Sequence, residues 1–310
     1  VQVYQRNNAN CQRVNIKYVG DGYYTIQFDH SGLYLDVSNG ETTNGTNVWQ
    51  CTYNGADAQK WIIQDLGDGY YSFVSKCSNT YLTVAGGKTT NCTNIEINSK
   101  KNDKSQAFKL NKIEILTGID VSEHQKIIDW DAVKKSGIAF AIIRCGYGKD
   151  DPSQDDKMFA RNIAECERLK IPYGIYLYSY ALDIEGAKSE AAHALRLISG
   201  HNPELGIWFD MEDADGYKLR NGMPSNNTLV EMCITFCEIM KDNGYKTGVY
   251  ANLNWLMNQL NDSRLDIYDK WVAQWNTTCD YTKKYIMWQY TSDGTVEGIE
   301  GRVDMNKYYL

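Results

Sequence analysis

Two different patterns of apolar and polar positions divide the chain near residue 112. Before it, short stretches alternate between apolar and polar residues and are separated by glycine-containing turns, such as Gly-Asp-Gly at 20–22. This alternation is typical of half-buried β-strands joined by tight turns. After it, apolar runs of strand length alternate with amphipathic stretches of helical length, which indicates parallel strands connected by helices. We therefore predict an all-β domain over residues 1–111 and an α/β domain over residues 112–310.

The all-β part contains an internal repeat with an offset of 47 residues. The stretch QRVNIKYVGDGYY at 12–24 corresponds to QKWIIQDLGDGYY at 59–71, and SGLYLDV at 31–37 corresponds to SNTYLTV at 78–84. The same offset relates Gln59 to Gln106. Three matches at one offset indicate copies of one structural unit.

Each unit ends in a Gln-x-aromatic element that resembles the QxW lobes of ricin-type β-trefoil lectins. The resemblance covers residues 1–110 and implies three lobes whose aromatic residues pack the core. Counting back by one repeat aligns Val1 with Val48, in the middle of a lobe. The first lobe is therefore incomplete, either because the chain is a fragment of a longer protein or because another chain completes the domain. The elements are Gln59-Lys60-Trp61, Gln106-Ala107-Phe108 and a weaker Gln12-Arg13-Val14.

The lectin resemblance also implies a sugar-binding site in the second lobe. A carboxylate that accepts hydrogen bonds from paired hydroxyls beneath an aromatic ring suits a sugar. The third lobe has Thr83 in place of the aspartate, so we predict no site there. The structural alternative is that the aspartate of the second lobe caps a turn and its glutamine braces the lobe. The candidate residues are Asp36, Tyr53, Asn54 and Gln59.

The second pattern predicts eight strands with fewer than eight helices. We therefore expect a multidomain fold class, in which an all-β ricin-like β-trefoil precedes an irregular (β/α) TIM-like barrel. The predicted strands are 115–121, 140–147, 173–180, 206–212, 246–251, 270–275, 285–290 and 302–306, and the predicted helices are 129–136, 156–169, 184–198 and 228–243.

Four acidic residues lie at the ends of these predicted strands, where barrel enzymes carry their chemistry. Asp120 ends the first strand, Asp210 and Glu212 end the fourth, and Asp304 lies near the end of the eighth. Residues two apart in a strand share a face, and the first and last strands of a closed barrel are neighbours. We therefore expect the four carboxylates to surround one pocket, the alternative being acids scattered over the surface.

Crowded carboxylates repel one another, so at least one of them should hold its proton to a higher pH. Glycoside hydrolysis requires this difference between acids. One protonated acid serves the leaving oxygen, and one anion stabilises the developing oxocarbenium charge.

The residues around these acids resemble the glycoside hydrolase family 25 lysozymes over Leu116–Leu310. The resemblance implies cleavage of the β-1,4 bond between N-acetylmuramic acid and N-acetylglucosamine in bacterial peptidoglycan. At matching positions, Glu212 corresponds to the proton donor, and Asp210 to the acid that orients the substrate's acetamido group or stabilises the intermediate. Asp120 and Asp304 correspond to the remaining acids of the pocket. The matching segments are TGIDVSEHQ, DWDAVKKSGIAFAIIRCGYG, PYGIYLYSYA, WFDMED, GVYAN, WVAQW, MWQYTSDG and VDMN.

Aromatic residues at other strand ends are candidates for contact with the sugar rings, and core packing is the alternative for each. Tyr176, Tyr178 and Tyr180 share a face by alternation, and we favour Tyr178 because of its depth in the strand. Attack by the substrate's acetamido group would retain the anomeric configuration, whereas activation of water by a carboxylate would invert it. The substrate-binding candidates are Tyr147, Tyr178, Tyr250, Trp275, Trp288 and Gln289.

Composition excludes several classes of partner. The formal net charge is −7 and no run of basic residues occurs, which argues against nucleic acid. No apolar stretch reaches the roughly 18–20 residues of a membrane span. With four histidines and neither HExxH nor CxxC, we expect no metal and no cofactor. Among nine cysteines, Cys77 and Cys92 flank a predicted hairpin and could form a disulfide, whereas Cys233 and Cys237 are more consistent with buried apolar positions.

Three functional hypotheses follow. The favoured one is a muramidase that a glycan-binding module targets to the cell wall. It implies an extracellular or wall-associated protein, although the first ten residues contain no signal peptide. The second is a lectin or adhesin with an inactive barrel, which the presence of both Asp210 and Glu212 disfavours. The third is a glycosidase acting on another amino-sugar polymer such as chitin, but IWFDMED lacks the DxxDxDxE spacing of chitinases.

Overall fold

The computed structural model describes residues 1–6 and 9–310. It divides into two compact units, Val1–Ile113 and Glu114–Leu310. Each unit is described by itself.

The first unit is built from short antiparallel strands, and its repeat is visible in the hairpins. Its strands are β1 Gln2–Val3, β2 Val14–Gly20, β3 Tyr23–Phe28, β4 Tyr34–Val37, β5 Val48–Cys51, β6 Trp61–Gly67, β7 Tyr70–Ser75, β8 Tyr81–Val84, β9 Thr93–Asn98 and β10 Phe108–Lys109. Hairpins β2–β3 and β6–β7 each turn at a Gly-Asp-Gly, where Asp21 and Asp68 have φ angles of 51° and 52°. Aspartate tolerates this left-handed region better than most residues, which explains its place in both copies.

The core of this unit forms around Trp61, the aromatic residue of the second Gln-x-aromatic element. Its side chain is fully buried among Val37, Val48 and Ile97. The indole Nε1 donates a hydrogen bond to the carbonyl oxygen of Leu35 at 3.1 Å. Burial of the ring removes apolar surface from water, while this bond satisfies its one polar atom.

The second unit forms a closed barrel of eight strands, with helices after the first five. Its elements are β11 Ile115–Val121, α1 Trp130–Lys135, β12 Phe140–Tyr147, α2 Phe159–Leu169, β13 Tyr173–Tyr178, α3 Ile184–Ile198, β14 Ile207–Asp210, α4 Tyr217–Arg220, α5 Asn226–Asp242, β15 Thr247–Asn252, α6 Leu253–Met257, β16 Asp269–Ala273, β17 Met287–Gly294 and β18 Val303–Tyr309. Neighbouring strands from β11 to β17 are parallel, whereas β18 is antiparallel to both β17 and β11. We expected parallel strands, and β18 differs because the eight residues 295–302 before it are too few for a crossover helix.

The barrel strands have an apolar layer on each face. The inward layer is mainly aromatic, with Phe140, Trp208, Trp271, Met287 and Tyr308 among its members. A second, larger layer lies between the strands and the helices. Gly118 allows close approach on the inner face, because a Cβ there would lie 2.5 Å from the ring of Phe140.

The cysteines do not form the disulfide that the sequence left open. Cys77 and Cys92 are both free thiols. Cys233 and Cys237 are buried on α5 as apolar residues. Within residues 1–6 and 9–310, no group of three or more potential ligands could hold a metal ion, and no helix is long and apolar enough to cross a membrane.

Candidate active site

The barrel brings four carboxylates to one end. Asp120 in β11 lies directly opposite Asp304 in β18 in the antiparallel register. Asp210 is the last residue of β14, and Glu212 follows two residues later. Asp120 and Asp210 are buried, and Glu212 and Asp304 are partly buried. The charge of Asp304 raises the pKa values of Asp120 and Glu212. The charges of Glu212 and Asp120 raise that of Asp210, so the four acids form a single electrostatic group.

Asp120 and Asp304 form the first pair. The Oδ1 atom of Asp120 accepts hydrogen bonds from Asn306 Nδ2 at 2.7 Å and from Gln289 Nε2 at 3.0 Å. Burial, followed by the charge of Asp304, raises the pKa of Asp120 well above its usual value. Burial also raises the pKa of Asp304 to about 6, although its hydrogen bond with Asp120 opposes the increase. The pair therefore retains a proton at a pH where a solvent-exposed aspartate has lost its own.

Asp210 and Glu212 form the second pair. Burial and then the charge of Glu212 raise the pKa of Asp210, whereas the ammonium of Lys218 lowers it. Burial raises the pKa of Glu212, and its contact with Asn252 Nδ2 at 3.5 Å opposes this. The Oδ1 atom of Asp210 is buried and has no hydrogen-bond partner among the described residues. An unpaired buried acceptor is costly, so this atom is available to a bound group.

Aromatic side chains surround the acids. Tyr250 is buried, and its hydroxyl donates to Gln289 Oε1 at 3.1 Å. Trp275 donates from Nε1 to the same oxygen at 3.1 Å, although it lies beyond the end of β16 and is 65% exposed. Tyr147 and Tyr178 lie against the ring of Tyr180, with ring centroids 5.9 and 5.2 Å apart. These rings could contact the apolar faces of a sugar chain.

In the first unit, the lectin candidates Gln59 and Asp36 are buried, whereas Tyr53 is exposed. Gln59 is fully buried, donates to the Thr52 carbonyl at 2.9 Å and accepts from the Asn54 amide at 3.0 Å, so it braces the lobe. Asp36 accepts from Trp49 Nε1 at 2.8 Å. Tyr53 is 52% exposed, and its ring lies 4.9 Å from that of Tyr34.

Asn54 turns its side chain back onto the chain. Its Oδ1 accepts from the amide of Ala56 at 2.9 Å, which is a local turn contact. Thr83, at the corresponding aspartate position of the third lobe, is buried and accepts from Gln106 Nε2 at 2.9 Å. The third lobe therefore has no carboxylate at the position that corresponds to Asp36.

With this geometry in place, comparison with known families decides the assignment of the barrel. The family model of glycosyl hydrolases family 25 matches residues 119–299, which is more than half of the chain. The chain belongs to glycosyl hydrolase family 25. The model of the ricin-type β-trefoil lectin domain-like family matches residues 10–98. Both parts of the predicted resemblance are confirmed.

Two curated relatives each match about three fifths of the chain. The autolytic lysozyme of Clostridium acetobutylicum is 28% identical over 194 residues, which are 62% of this chain and 56% of that protein. Lysozyme M1 of Streptomyces globisporus is 26% identical over 204 residues, or 62% of this chain and 67% of that protein. The chain thus spans little more than half the length of the first relative.

Solved structures show the same fold at low sequence identity. The modular autolysin LytC of Streptococcus pneumoniae matches with a TM-score of 0.57 and 22% identity, covering 93% of this chain and 70% of that one. A family 25 glycosyl hydrolase of Bacillus anthracis matches with a TM-score of 0.53 and 22% identity, covering 66% and 92%.

One substrate-binding candidate of the family 25 barrel is wrong. Trp288 is 3% exposed and belongs to the layer between strands and helices. Its Nε1 donates to the carbonyl of Gln274 at 2.8 Å, and Lys307 Nζ lies 4.8 Å from the ring centroid. Successive residues of a strand point to opposite faces, so Trp288 points away from the pocket that its neighbour Gln289 enters.

Several residues of the family 25 site escaped the sequence analysis. Asn306 and Asn252 each lie two positions from a candidate, so the alternation used for the acids could have identified them. Tyr176 was considered there, but Tyr178 was favoured over it. Tyr176 is partly buried against the inner aromatic layer of the barrel, where burial and then the charge of Asp120 raise its pKa. Lys218 has no such signal, because it lies on the four-residue helix α4.

Proposed function

We propose that the chain is a lysozyme, an N-acetylmuramidase that cleaves β-1,4 bonds between N-acetylmuramic acid and N-acetylglucosamine in peptidoglycan. The observation that carries the proposal is the gathering of Asp120, Asp210, Glu212 and Asp304 at one end of the barrel, with unequal proton affinities. Two relatives are named lysozymes, and LytC was solved in complex with a synthetic peptidoglycan ligand. These names support the same substrate.

In this proposal Glu212 donates the proton to the leaving oxygen. Its raised pKa keeps it protonated at a pH where an ordinary glutamate is ionised, and its partial exposure allows contact with the substrate. The unpaired Oδ1 of Asp210 accepts a hydrogen bond from the acetamido N–H of the sugar and orients that group. Asp120 and Asp304, which share a proton, complete the negative field that favours the oxocarbenium-like transition state.

The finer architecture is part of the proposal. We infer that residues 112–310 are an irregular TIM-like (β/α) barrel, since seven strands are parallel and helices follow the first five. Residues 1–111 form a ricin-type β-trefoil module, which the repeat and its paired hairpins support.

The first domain binds glycans and keeps the enzyme at the wall. The candidate glycan-binding face consists of the exposed rings of Trp49 and Tyr53. The Trp49 indole donates to the buried carboxylate of Asp36, and the Tyr53 ring packs against that of Tyr34. Retention on a polymer raises the effective substrate concentration for the barrel. The whole protein then acts outside the cell or at the cell wall.

Replacing Glu212 by Gln tests the catalytic proposal. Glutamine has nearly the same shape but cannot donate a carboxyl proton, so we expect release of muropeptides to fall at least about 100-fold. Thermal unfolding should change little, and Glu297→Gln, at an exposed position, is the matched control. Mass spectrometry of digested, purified peptidoglycan should show muramic acid at the new reducing ends. Wild-type rates in Glu212→Gln, or only glucosamine reducing ends, would contradict the proposal.

Replacing Tyr53 by Ala tests the glycan-binding face in the full chain. Loss of one stacking ring should weaken binding to purified walls by about 1 kcal/mol, or roughly fivefold. Cleavage of small soluble muropeptides should not change. Tyr70→Ala removes a comparably exposed ring from another part of the domain and is the control. Equal binding by the two variants would remove the face from the proposal.

A further inference from the structure

A buried lysine lies beneath the proposed proton donor. Lys218 on α4 is 1% exposed. Its Nζ donates to the backbone carbonyl of Glu212 at 2.9 Å and to that of Ser179. Burying an ammonium group is costly unless its hydrogen bonds and nearby charges compensate. The position of this charge therefore requires an explanation beyond packing.

The two carbonyls belong to the segments that carry the candidate acids. One is the peptide carbonyl of Glu212 itself. The other follows β13, where the amide of Ser179 donates to the Asp210 carbonyl at 3.0 Å. Lys218 therefore ties the end of β13 to the acidic segment after β14.

A second buried titratable group, Glu190, contacts the same segment. Glu190 on α3 accepts from the amides of Tyr180 at 2.7 Å and Ala181 at 2.9 Å, and from the hydroxyl of Ser179 at 2.8 Å. Burial raises the pKa of Glu190 to about 7, and the charge of Lys218 opposes this. The loop after β13 is thus held between one carboxyl group and one ammonium group.

The charge of Lys218 also acts on the acids. It lowers the pKa of both Asp210 and Glu212, against the stronger effect of burial. Other groups act on the same site: Asp120 and Arg144 on Asp210, and Asp304 and Asp213 on Glu212. The charged or titratable groups that act on Lys218 are Glu190, Asp210, Asp213 and Cys233.

We propose that Lys218 is a positioning residue for the hydrolysis, whose ammonium fixes the backbone of Glu212 and places one positive charge beside the pair formed by Asp210 and Glu212. The inference rests on the proposed function of these two acids. Because the charge favours ionisation of both, its removal raises both pKa values. The acidic and basic limbs of the rate profile then move together to higher pH.

Lys218→Met tests this role, since it removes the charge and both hydrogen bonds but keeps most of the volume. We expect kcat to fall at least about tenfold with KM changed less than about threefold. Both limbs of the profile should move up by about half a pH unit or more. Lys218→Gln removes the charge but keeps donors, so it should move the profile with a smaller loss of kcat. Lys218→Arg keeps charge and donors and should restore the wild-type profile.

Lys270→Met is the matched control. Lys270 is 2% exposed and also donates to two backbone carbonyls, those of Leu265 at 2.5 Å and Tyr268 at 2.6 Å. Its main charged or titratable neighbours are Cys237, Cys233, Asp266 and Asp269 rather than the four acids. Its loss should lower stability without moving the profile.

Profiles from purified peptidoglycan separate the outcomes. Wild-type protein that releases no muropeptides would refute the proposed function itself. An active wild type with a Lys218→Met profile that superimposes on it, or with an equal displacement in Lys270→Met, would refute the positioning role alone. If Lys218→Met does not fold by circular dichroism, the comparison of Lys218→Gln with Lys218→Arg decides the same question.

Discussion

Replacing Asp304 by Asn should stabilise the barrel at neutral and alkaline pH. Burial raises the pKa of this carboxyl group from 3.8 to about 6 in the folded protein. Each pH unit between the folded and unfolded pKa values corresponds to about 1.4 kcal/mol. The ionised carboxylate therefore costs the folded barrel up to about 3 kcal/mol, and we expect asparagine to recover about 1–3 kcal/mol.

The sign of the effect depends on pH. The folded state binds the Asp304 proton more tightly than the unfolded state, so this group lowers stability as pH rises from about 4 to above 6. Below this window both states are protonated, and the variant should gain little. Above it the gain should reach its full value. Under the proposed function the same variant loses activity, because it removes one of the four acids.

Chemical unfolding followed by tryptophan fluorescence at pH 4 and pH 8 measures this difference. Six of the eight tryptophans lie in the barrel, so its transition dominates the signal. Glu300→Gln, at an exposed position of the barrel, controls for the loss of one charge. A variant that is no more stable than the wild type at pH 8, or that gains equally at pH 4, would show that Asp304 is not under electrostatic strain.

Two further substitutions test how the inner and outer faces of the barrel are assigned. Trp288→Phe should lower the free energy of unfolding by about 1–3 kcal/mol but leave KM for muropeptides unchanged, because the indole packs outside the pocket. Thermal unfolding and steady-state kinetics measure the two effects, and a raised KM would show that Trp288 contacts the substrate. Gly118→Ala should cost more than about 2 kcal/mol, because the new Cβ would lie 2.5 Å from the Phe140 ring. Adding Phe140→Leu should recover part of this loss, and strictly additive effects on unfolding free energy would disprove the clash.

Much of the strand arrangement follows from patterns in the sequence, whereas strand direction does not. The offset of 47 residues corresponds to hairpins β2–β3 and β6–β7, because both the alternation and the Gly-Asp-Gly turn recur in each copy. The apolar runs of the barrel correspond to strands for the same reason. A period of two contains no information about direction, so the antiparallel β18 could be inferred only from the short connection before it. The short helices α4 and α6 have too few residues to show a helical period.

The candidate site, like the fold, could be predicted from the sequence only in part. Alternation was sufficient to group Asp210 with Glu212, and it should also have excluded Trp288 once Gln289 was placed inside. The order of proton affinities could not be predicted, because it depends on burial and on charges from other strands. Lys218 reaches the acids only through the packing of α4, which no local pattern of the chain describes.

The aromatic floor of the barrel explains how so many acids can be both tolerated and useful. The Trp271 ring lies 4.5 Å from that of Tyr250 and 5.9 Å from those of Tyr176 and Trp208, so the space below the carboxylates is apolar. Its Nε1 also donates to Asn306 Oδ1 at 2.8 Å, and Asn306 in turn donates to Asp120. The same rings therefore provide the burial that stabilises the barrel and the low polarity that raises the pKa values. Stability and proton affinity share one structural cause, and a substitution in the floor should change both together.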